Sequence, residues 1–278
     1  MPIFGFTNVA GSVITQMSIA IAQGTDADAQ AFIDAASITD STQISAVNQL
    51  VLDLKGYGVW DKCKAIYPIV GGSASSHAVN LKTPGTYNLT FSTGWTHAST
   101  GMTPNGTSAY ASTGIIPNTH LTNNSTHMSY YSRTNTNILA ASFDMGINGS
   151  STASYFDMSL RLSDTFYSDQ YNTTTNRLTT ANTNSTGFYI TSRTTSTSLK
   201  SYKNGTQIGS TLTNASSGFT GLIYGIYIGA INNNNLNAQF FTNREGALIS
   251  IGDGLDDTES DNFNTAVQAF QTTLSRNV

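Results

Sequence analysis

The sequence predicts a mainly β chain, an antiparallel two-sheet jelly-roll sandwich with an N-terminal arm plus helices and a C-terminal helix. Three observations predict it. Thr, Ser and Asn number 41, 33 and 26 of 278 residues, whereas Glu occurs only at Glu245 and Glu259. Strand and turn formers therefore outweigh helix formers. From about 81 to 252, short apolar runs alternate with turn clusters at near-regular spacing, the pattern of a sandwich. Helical spacing of apolar residues is confined to stretches near the two ends.

Composition narrows the function classes. Charged residues make up 10% and the net charge is −4. Scattered Lys and Arg in an acidic chain argue against a nucleic-acid surface. A hydrophobic content of 38% with 13 Tyr and 13 Phe suffices for a core. One cysteine, Cys63, excludes an internal disulfide framework and a Cys-based zinc site. No apolar run reaches the roughly 18 residues of a membrane span, so no membrane partner is expected. Met1 to Ala22 lacks the basic start of a signal peptide.

Residues 1–24 read as an arm too short to fold alone, either a strand of the same domain or a tether to a neighbouring subunit. Residues 25–80 read as a helical connector. Thr25 caps a short helix through Ser37, with Asp28 favourable in its first turn. Asp40 to Gln43 forms a capping-box variant, after which Ile44, Val47, Leu50, Val51 and Leu54 recur at helical spacing. Gly56 supplies the stop. That stripe packs on its own domain or is ready for a partner at an oligomer axis. Cys63, between Lys62 and Lys64, reads as a partly buried thiol rather than a nucleophile.

Residues 81–257 form the sandwich. Tyr87, Leu89 and Phe91 alternate. Phe156, Met158, Leu160 and Leu162 alternate with Asp157, Ser159 and Arg161, as in a strand buried on one face. Leu199 to Gly209 is a hairpin turning at Asn204-Gly205, which puts Leu199 and Ile208 on one face and Tyr202 on the other. Leu222 to Ile228 reads as a central strand, apolar on both faces. Ala247, Ile249 and Ile251 alternate with Leu248 and Ser250. Residues 258–278 close the chain with a helix that starts at the box Asp256 to Glu259 and carries Phe263, Ala266, Val267, Phe270 and Leu274.

The hairpin Leu199-Lys-Ser-Tyr-Lys-Asn-Gly-Thr-Gln-Ile-Gly209, the strand Tyr227-Ile-Gly-Ala230 and the stretch Ala247-Leu-Ile-Ser-Ile-Gly-Asp-Gly-Leu255 resemble the laminin G-like branch of the concanavalin A-like lectin/glucanase superfamily. A longer resemblance covers Asp40 to Leu54, Gly58 to Lys62, Ala65-Ile-Tyr-Pro68, Gly71 to Ser75 and Phe263 to Leu274. These look like a module of tailed-bacteriophage virion structural proteins of the head-fibre, tail-fibre or capsid-associated type. The resemblance implies a non-enzymatic homo-oligomer, most often a trimer, bound to capsid or tail proteins. It implies location in the virion after assembly in the host bacterial cytoplasm. It also reconciles an extracellular composition with the lack of a visible export signal.

Candidate chemistry follows from residue types. Glucanases of the superfamily carry Glu-x-Asp-x-Glu on one strand. Here the two Glu are far apart and Asp157 stands alone on its polar face, so a polysaccharide-degrading enzyme is the disfavoured alternative and no catalytic residue is assigned. No cofactor is expected. Asp253, Asp256 and Asp257 lie in one loop and are candidates for calcium, with helix capping and solvation as the preferred reading. Lectin sites pair an exposed aromatic ring with amide or carboxylate hydrogen bonds. Tyr167, Tyr171, Asn232 and Asn233 have those types, and a host-surface glycan is the expected ligand. A stand-alone carbohydrate-binding lectin is the other alternative.

Overall fold

The computed structural model of the chain describes residues 24–149, 154–173, 175–218, 221–233 and 237–278. The expected arm, apart from Gly24, lies outside the described residues. Helices α1 (Ala27–Ala35) and α2 (Ser41–Gly56) come first, then a 3-10 turn at Trp60–Lys62 and strand β1 (Cys63–Tyr67). Next come α3 (Ala74–Ala78), β2 (Thr90–Phe91), β3 (Trp95–Ala98), β4 (Gly101–Pro104), β5 (Ala111–Ser112) and α4 (Pro117–His120). Strands β6 (Thr126–Ser132), β7 (Met145–Asn148), β8 (Tyr155–Leu162), β9 (Thr165–Asn172), β10 (Leu178–Ala181), β11 (Gly187–Thr195), β12 (Ser198–Lys203) and β13 (Thr206–Leu212) follow. The chain ends with β14 (Tyr227–Ile228), β15 (Ile231–Asn233), β16 (Asn237–Gln239), β17 (Gly246–Gly252) and α5 (Asp257–Thr273).

Among the described residues, sheet I runs β13-β12-β11-β6-β17-β4-β3, with β1 also paired to β17. Sheet II runs β10-β9-β8-β7-β14-β5-β2, with β15 and β16 attached. The pairs are antiparallel except β15 with β7. Two cores result. Met128, Tyr130, Met158, Leu160, Phe166, Ile249 and Ile251 fill the space between the sheets. Val47, Leu50, Leu54, Phe188, Leu248, Phe263 and Val267 fill the space between sheet I and helices α1, α2 and α5. The fold is thus the expected two-sheet jelly-roll sandwich, with one face of one sheet roofed by helices.

The helices follow local rules. Asp26, rather than Thr25, caps α1 through the Asp28 N–H at 2.9 Å. The Lys55 ammonium near the end of α2 reaches Asp26 at 2.7 Å and Asp28 at 2.6 Å, so the last turn of one helix clamps the first turn of the other. Asp40 caps α2 through the Gln43 N–H at 2.8 Å. Gly56 is still helical; the reversal falls on Tyr57 and on Gly58, whose φ of +73° suits glycine. The apolar stripe of α2 is buried by the chain's own sheet and α5, so it is not an open surface for a partner. Asp256 and Glu259 form the expected reciprocal box at the start of α5.

Several sequence expectations change. Residues 25–80 hold more than a connector, since Cys63–Tyr67 is a strand of sheet I. Cys63 is 3% exposed rather than partly buried, and burial pushes its thiol up to about 12. The apolar stretch 222–228 is strand only at Tyr227–Ile228, and Ile223 is 52% exposed. Tyr87 adopts φ +55°, so the alternation through Phe91 becomes a strand only at its end. The Asn204-Gly205 hairpin stands, with Lys203 opposite Thr206. Its Leu199 lies between the sheets, with Ile208 packed against the same core. Tyr202 faces the helices.

Candidate functional site

Helices α1, α2 and α5 cover sheet I, and none of their residues belongs to the core against sheet II. The outward face of sheet II is therefore not covered by α1, α2 or α5. The β8–β9 hairpin lies on that face next to edge strand β10. The turn residues Ser163 and Asp164 both take left-handed φ, +49° and +58°, which matches the twist of a two-residue hairpin loop. Strand alternation sends Phe156, Met158, Leu160 and Phe166 into the core. The same alternation sends Tyr155, Asp157, Ser159, Tyr167 and Asp169 outward.

Asp157 pairs directly with Asp169 across β8 and β9, and with Gly146 across β7 and β8. A Cβ on Gly146 would stand 2.4 Å from the Asp157 Cβ, so only glycine fits beside the carboxylate. Arg177, just before β10, bridges both acids. Its Nη2 lies 2.9 Å from Asp157 Oδ1 and its Nε 2.6 Å from Asp169 Oδ2. The guanidinium carbon sits 5.2 Å from the Tyr167 ring centroid and 5.8 Å from those of Tyr155 and Phe143. Both Asp side chains are wholly buried, while the Arg177 side chain keeps 20% exposure.

The electrostatics follow from that geometry. Burial pushes the Asp157 carboxyl up to about 6, against the pull of Arg177. Burial, together with the neighbouring Asp157 charge, holds Asp169 well above the usual carboxylate range. The two buried carboxyls face each other across the strand pair, so a negative charge on one disfavours ionisation of the other. One guanidinium then balances one carboxylate, and the cluster is close to neutral. Beside it, the buried Ser159 Oγ has no hydrogen-bond partner among the described residues. Tyr155 and Tyr167 stay half-exposed at the rim. The arrangement offers tyrosine rings for stacking and a fixed guanidinium as donor. Two-carboxylate glycoside hydrolysis needs acids about 5–9.5 Å apart across the scissile bond. These two are direct cross-strand neighbours, both bound by one arginine.

The sequence-derived candidates separate in space. Tyr167 stands at the rim. Tyr171 does not: its ring is buried in the core, 5.2 Å from that of Phe156, so it offers no face for stacking. Its φ of +60° breaks the strand alternation that would have kept it beside Tyr167 and Asp169. Asn232 is buried, and its amide donates to the Gly225 carbonyl at 2.8 Å. Asn233 is half-buried and donates to the Gln239 side chain. Asp157 is not alone on a solvated face, because Asp169 and Arg177 enclose it. Asp256 caps α5, Asp257 binds Lys200 and Tyr202, and Asp253 lies 3.7 Å from Lys64. Among the described residues, no three His, Cys, Asp or Glu side chains converge as a metal site would need.

Sequence reasoning missed Arg177, Asp169, Tyr155 and Phe143. One signal was present. Tyr155-Phe-Asp157 and Tyr167-Ser-Asp169 repeat a Tyr-x-Asp pattern on either side of Ser163-Asp164. Folding at that turn brings the two Asp together.

No family model matches this chain, and no curated protein sequence matches it. Solved structures do. Domain 4 of AbnA, a GH43 extracellular arabinanase from Geobacillus stearothermophilus solved with arabinotriose, superposes with a TM-score of 0.50 at 12% identity. The match covers 73% of this chain and 98% of that domain. A Trypanosoma rangeli sialidase in complex with 2,3-difluorosialic acid gives a TM-score of 0.53 at 10% identity, over 80% of this chain. The match spans only 38% of the sialidase. At such identities the likeness is one of fold. The chain is a mainly β, antiparallel jelly-roll sandwich with a C-terminal helix.

Proposed function

We propose that this chain is a non-enzymatic structural protein of a bacteriophage virion that displays a carbohydrate-binding sandwich and works by attachment. The observation that carries the binding reading is the outward face of sheet II, where Tyr155 and Tyr167 flank Arg177 on the side away from α1, α2 and α5. A sugar ring stacks its C–H face on a tyrosine while its hydroxyls accept from the guanidinium. The near-neutral cluster suits a neutral glycan. The arabinanase domain solved with arabinotriose supports the same reading, as a sandwich of this kind that holds a sugar. The virion reading is supported by the motif resemblance in Asp40 to Leu54, Gly58 to Lys62 and Phe263 to Leu274. A composition rich in Thr, Ser and Asn and poor in charge suits an exposed particle component. In this reading the chain is a homo-oligomer, a trimer, held to capsid or tail proteins through the arm.

The test is a glycan array probed with the full chain, with product analysis on every glycan retained. Retention without released products is expected. Released sugar would make the chain an enzyme, and an array without retention would remove the binding function. Virion association is tested separately, by imaging phage particles with an antibody to this chain. Labelled heads or tails are expected, and a soluble protein absent from particles contradicts it.

A further inference from the structure

On the helix-covered side of the sandwich, a half-open cavity of about 320 Å³ lies between strands β11 and β12 and the first turn of α5. Thr194, Lys200, Tyr202, Leu255, Asp257 and Thr258 line it. We propose that this cavity is a second binding site, which takes one neutral sugar ring. It uses none of the residues around Arg177 and stands whether or not that face binds glycan.

Size comes first. Small-molecule pockets run from about 300 to 1,000 Å³, so this cavity suits one ring rather than a chain. Its polar groups are also fixed in place. The Lys200 ammonium meets both oxygens of Asp257, at 2.7 and 2.8 Å, and the Tyr202 hydroxyl donates to Asp257 Oδ1 at 2.6 Å. The hydrogen bonds from Lys200 and Tyr202 hold Asp257 below the usual carboxylate range, so it stays a charged acceptor. Burial and the Asp257 charge push the Tyr202 phenol up, so it stays a donor.

Charge then selects the ligand. Lys200 balances Asp257. Asp256, whose side chain accepts from the Glu259 N–H at 2.8 Å, offsets the positive end of α5. No excess positive charge remains to hold a phosphate or a sulfate. What remains is a set of donors and acceptors, with the exposed Thr194 and Thr258 and the buried, apolar Leu255 among the lining residues. A pyranose or furanose ring matches that set, with hydroxyls around its edge and C–H groups on its face.

The experiment uses the full chain with free D-glucose, D-galactose, D-mannose and L-arabinose as probes, followed by saturation-transfer NMR and titration. At least one sugar is expected to bind with a Kd in the range of about 1–10 mM, normal for a single ring. Thr194→Trp and Thr258→Trp fill the cavity from exposed positions and should weaken that binding tenfold or more, with Tm unchanged. Thr107→Ala, exposed after β4 and in neither site, should leave it intact. The proposal is overturned if no sugar binds below about 50 mM. It is also overturned if folded Trp variants bind as the wild type does, or if Thr107→Ala alone abolishes binding.

Discussion

Asp157 and Asp169 face each other across neighbouring strands of sheet II, wholly buried, with the single cation of Arg177 bound to both. Two carboxyls and one guanidinium cannot all be charged in a dry site at low cost, so the pair retains a proton near neutral pH. The polar core of the candidate face is thereby tied to pH.

The sign of that link follows from the direction of the shift. Asp157 titrates higher in the fold than in the unfolded chain, at about 6 against 3.8. Its protonation therefore stabilises the fold fully in acid, and that contribution is lost as pH rises through about 6. Asp157→Asn removes the proton requirement and leaves Asp169 paired with Arg177. Relative to wild type, the variant should gain about 1–3 kcal/mol on going from pH 4.5 to 7.5. Thermal melts of both proteins at the two pH values measure this. A difference independent of pH would contradict the raised Asp157 carboxyl.

His127 acts in the opposite direction. It is wholly buried between Ser250 Oγ, 2.9 Å from Nε2, and the Asp253 carbonyl oxygen, 2.6 Å from Nδ1. Burial holds its pKa down to about 4. The stability from keeping it neutral is present above the unfolded value of about 6.5 and is lost as pH falls towards 4. His77, held down to about 3 by burial and by His97, adds to the same loss. His127→Gln should flatten the fall of Tm between pH 6.5 and 4, at the cost of a lower Tm at pH 7.5. An unchanged acid limb would show that His127 does not control it.

The helical roof belongs to the fold. Leu50 is 1% exposed among Phe263, Val267 and the outer side of sheet I. Leu50→Ala should cost about 2–5 kcal/mol, whereas Gln49→Ala, on the exposed side of the same helix, should stay within about 0.5 kcal/mol. For the same reason, deleting residues 1–56 should give an aggregating chain, because Leu248, Phe263 and Phe270 would lose their cover. Denaturant melts and light scattering measure both. A soluble, cooperatively folding truncation would mean the roof is dispensable.

Deleting residues 1–23 isolates the proposed role of the arm. The truncated protein should keep its Tm and change from trimer to monomer in light scattering. A truncated protein that is still a trimer would place the oligomer contacts on the sandwich or its helices.

The parts of this fold that local chemistry dictates were legible in the sequence. Asn204-Gly205 announces its hairpin, because few other dipeptides accept the positive φ of such a turn. Asp40 and the Asp256–Glu259 pair announce helix starts, because their side chains satisfy N–H groups three residues on. The site was less legible because it depends on distant pairing. Asp157 reads as a solvated residue until Asp169 and Arg177 are brought over it. Tyr171 reads as an outward neighbour of Tyr167 until its φ of +60° shows that the alternation fails there. The stretch 222–228 misleads for another reason. An apolar run satisfies a strand, a loop packed on the core, or both, and here Leu222 and Ile226 are buried without strand pairing while Ile223 is exposed.

The central claim is that the outward face of sheet II holds a glycan through Tyr167 beside Arg177. Calorimetric titration of the best array glycan into wild type and Tyr167→Ala tests it most directly. Removing a stacking ring from a sugar site costs about 1.4 kcal/mol or more, so the account predicts at least a tenfold rise in Kd with an unchanged Tm. Equal affinity of the two folded proteins for that glycan would contradict it.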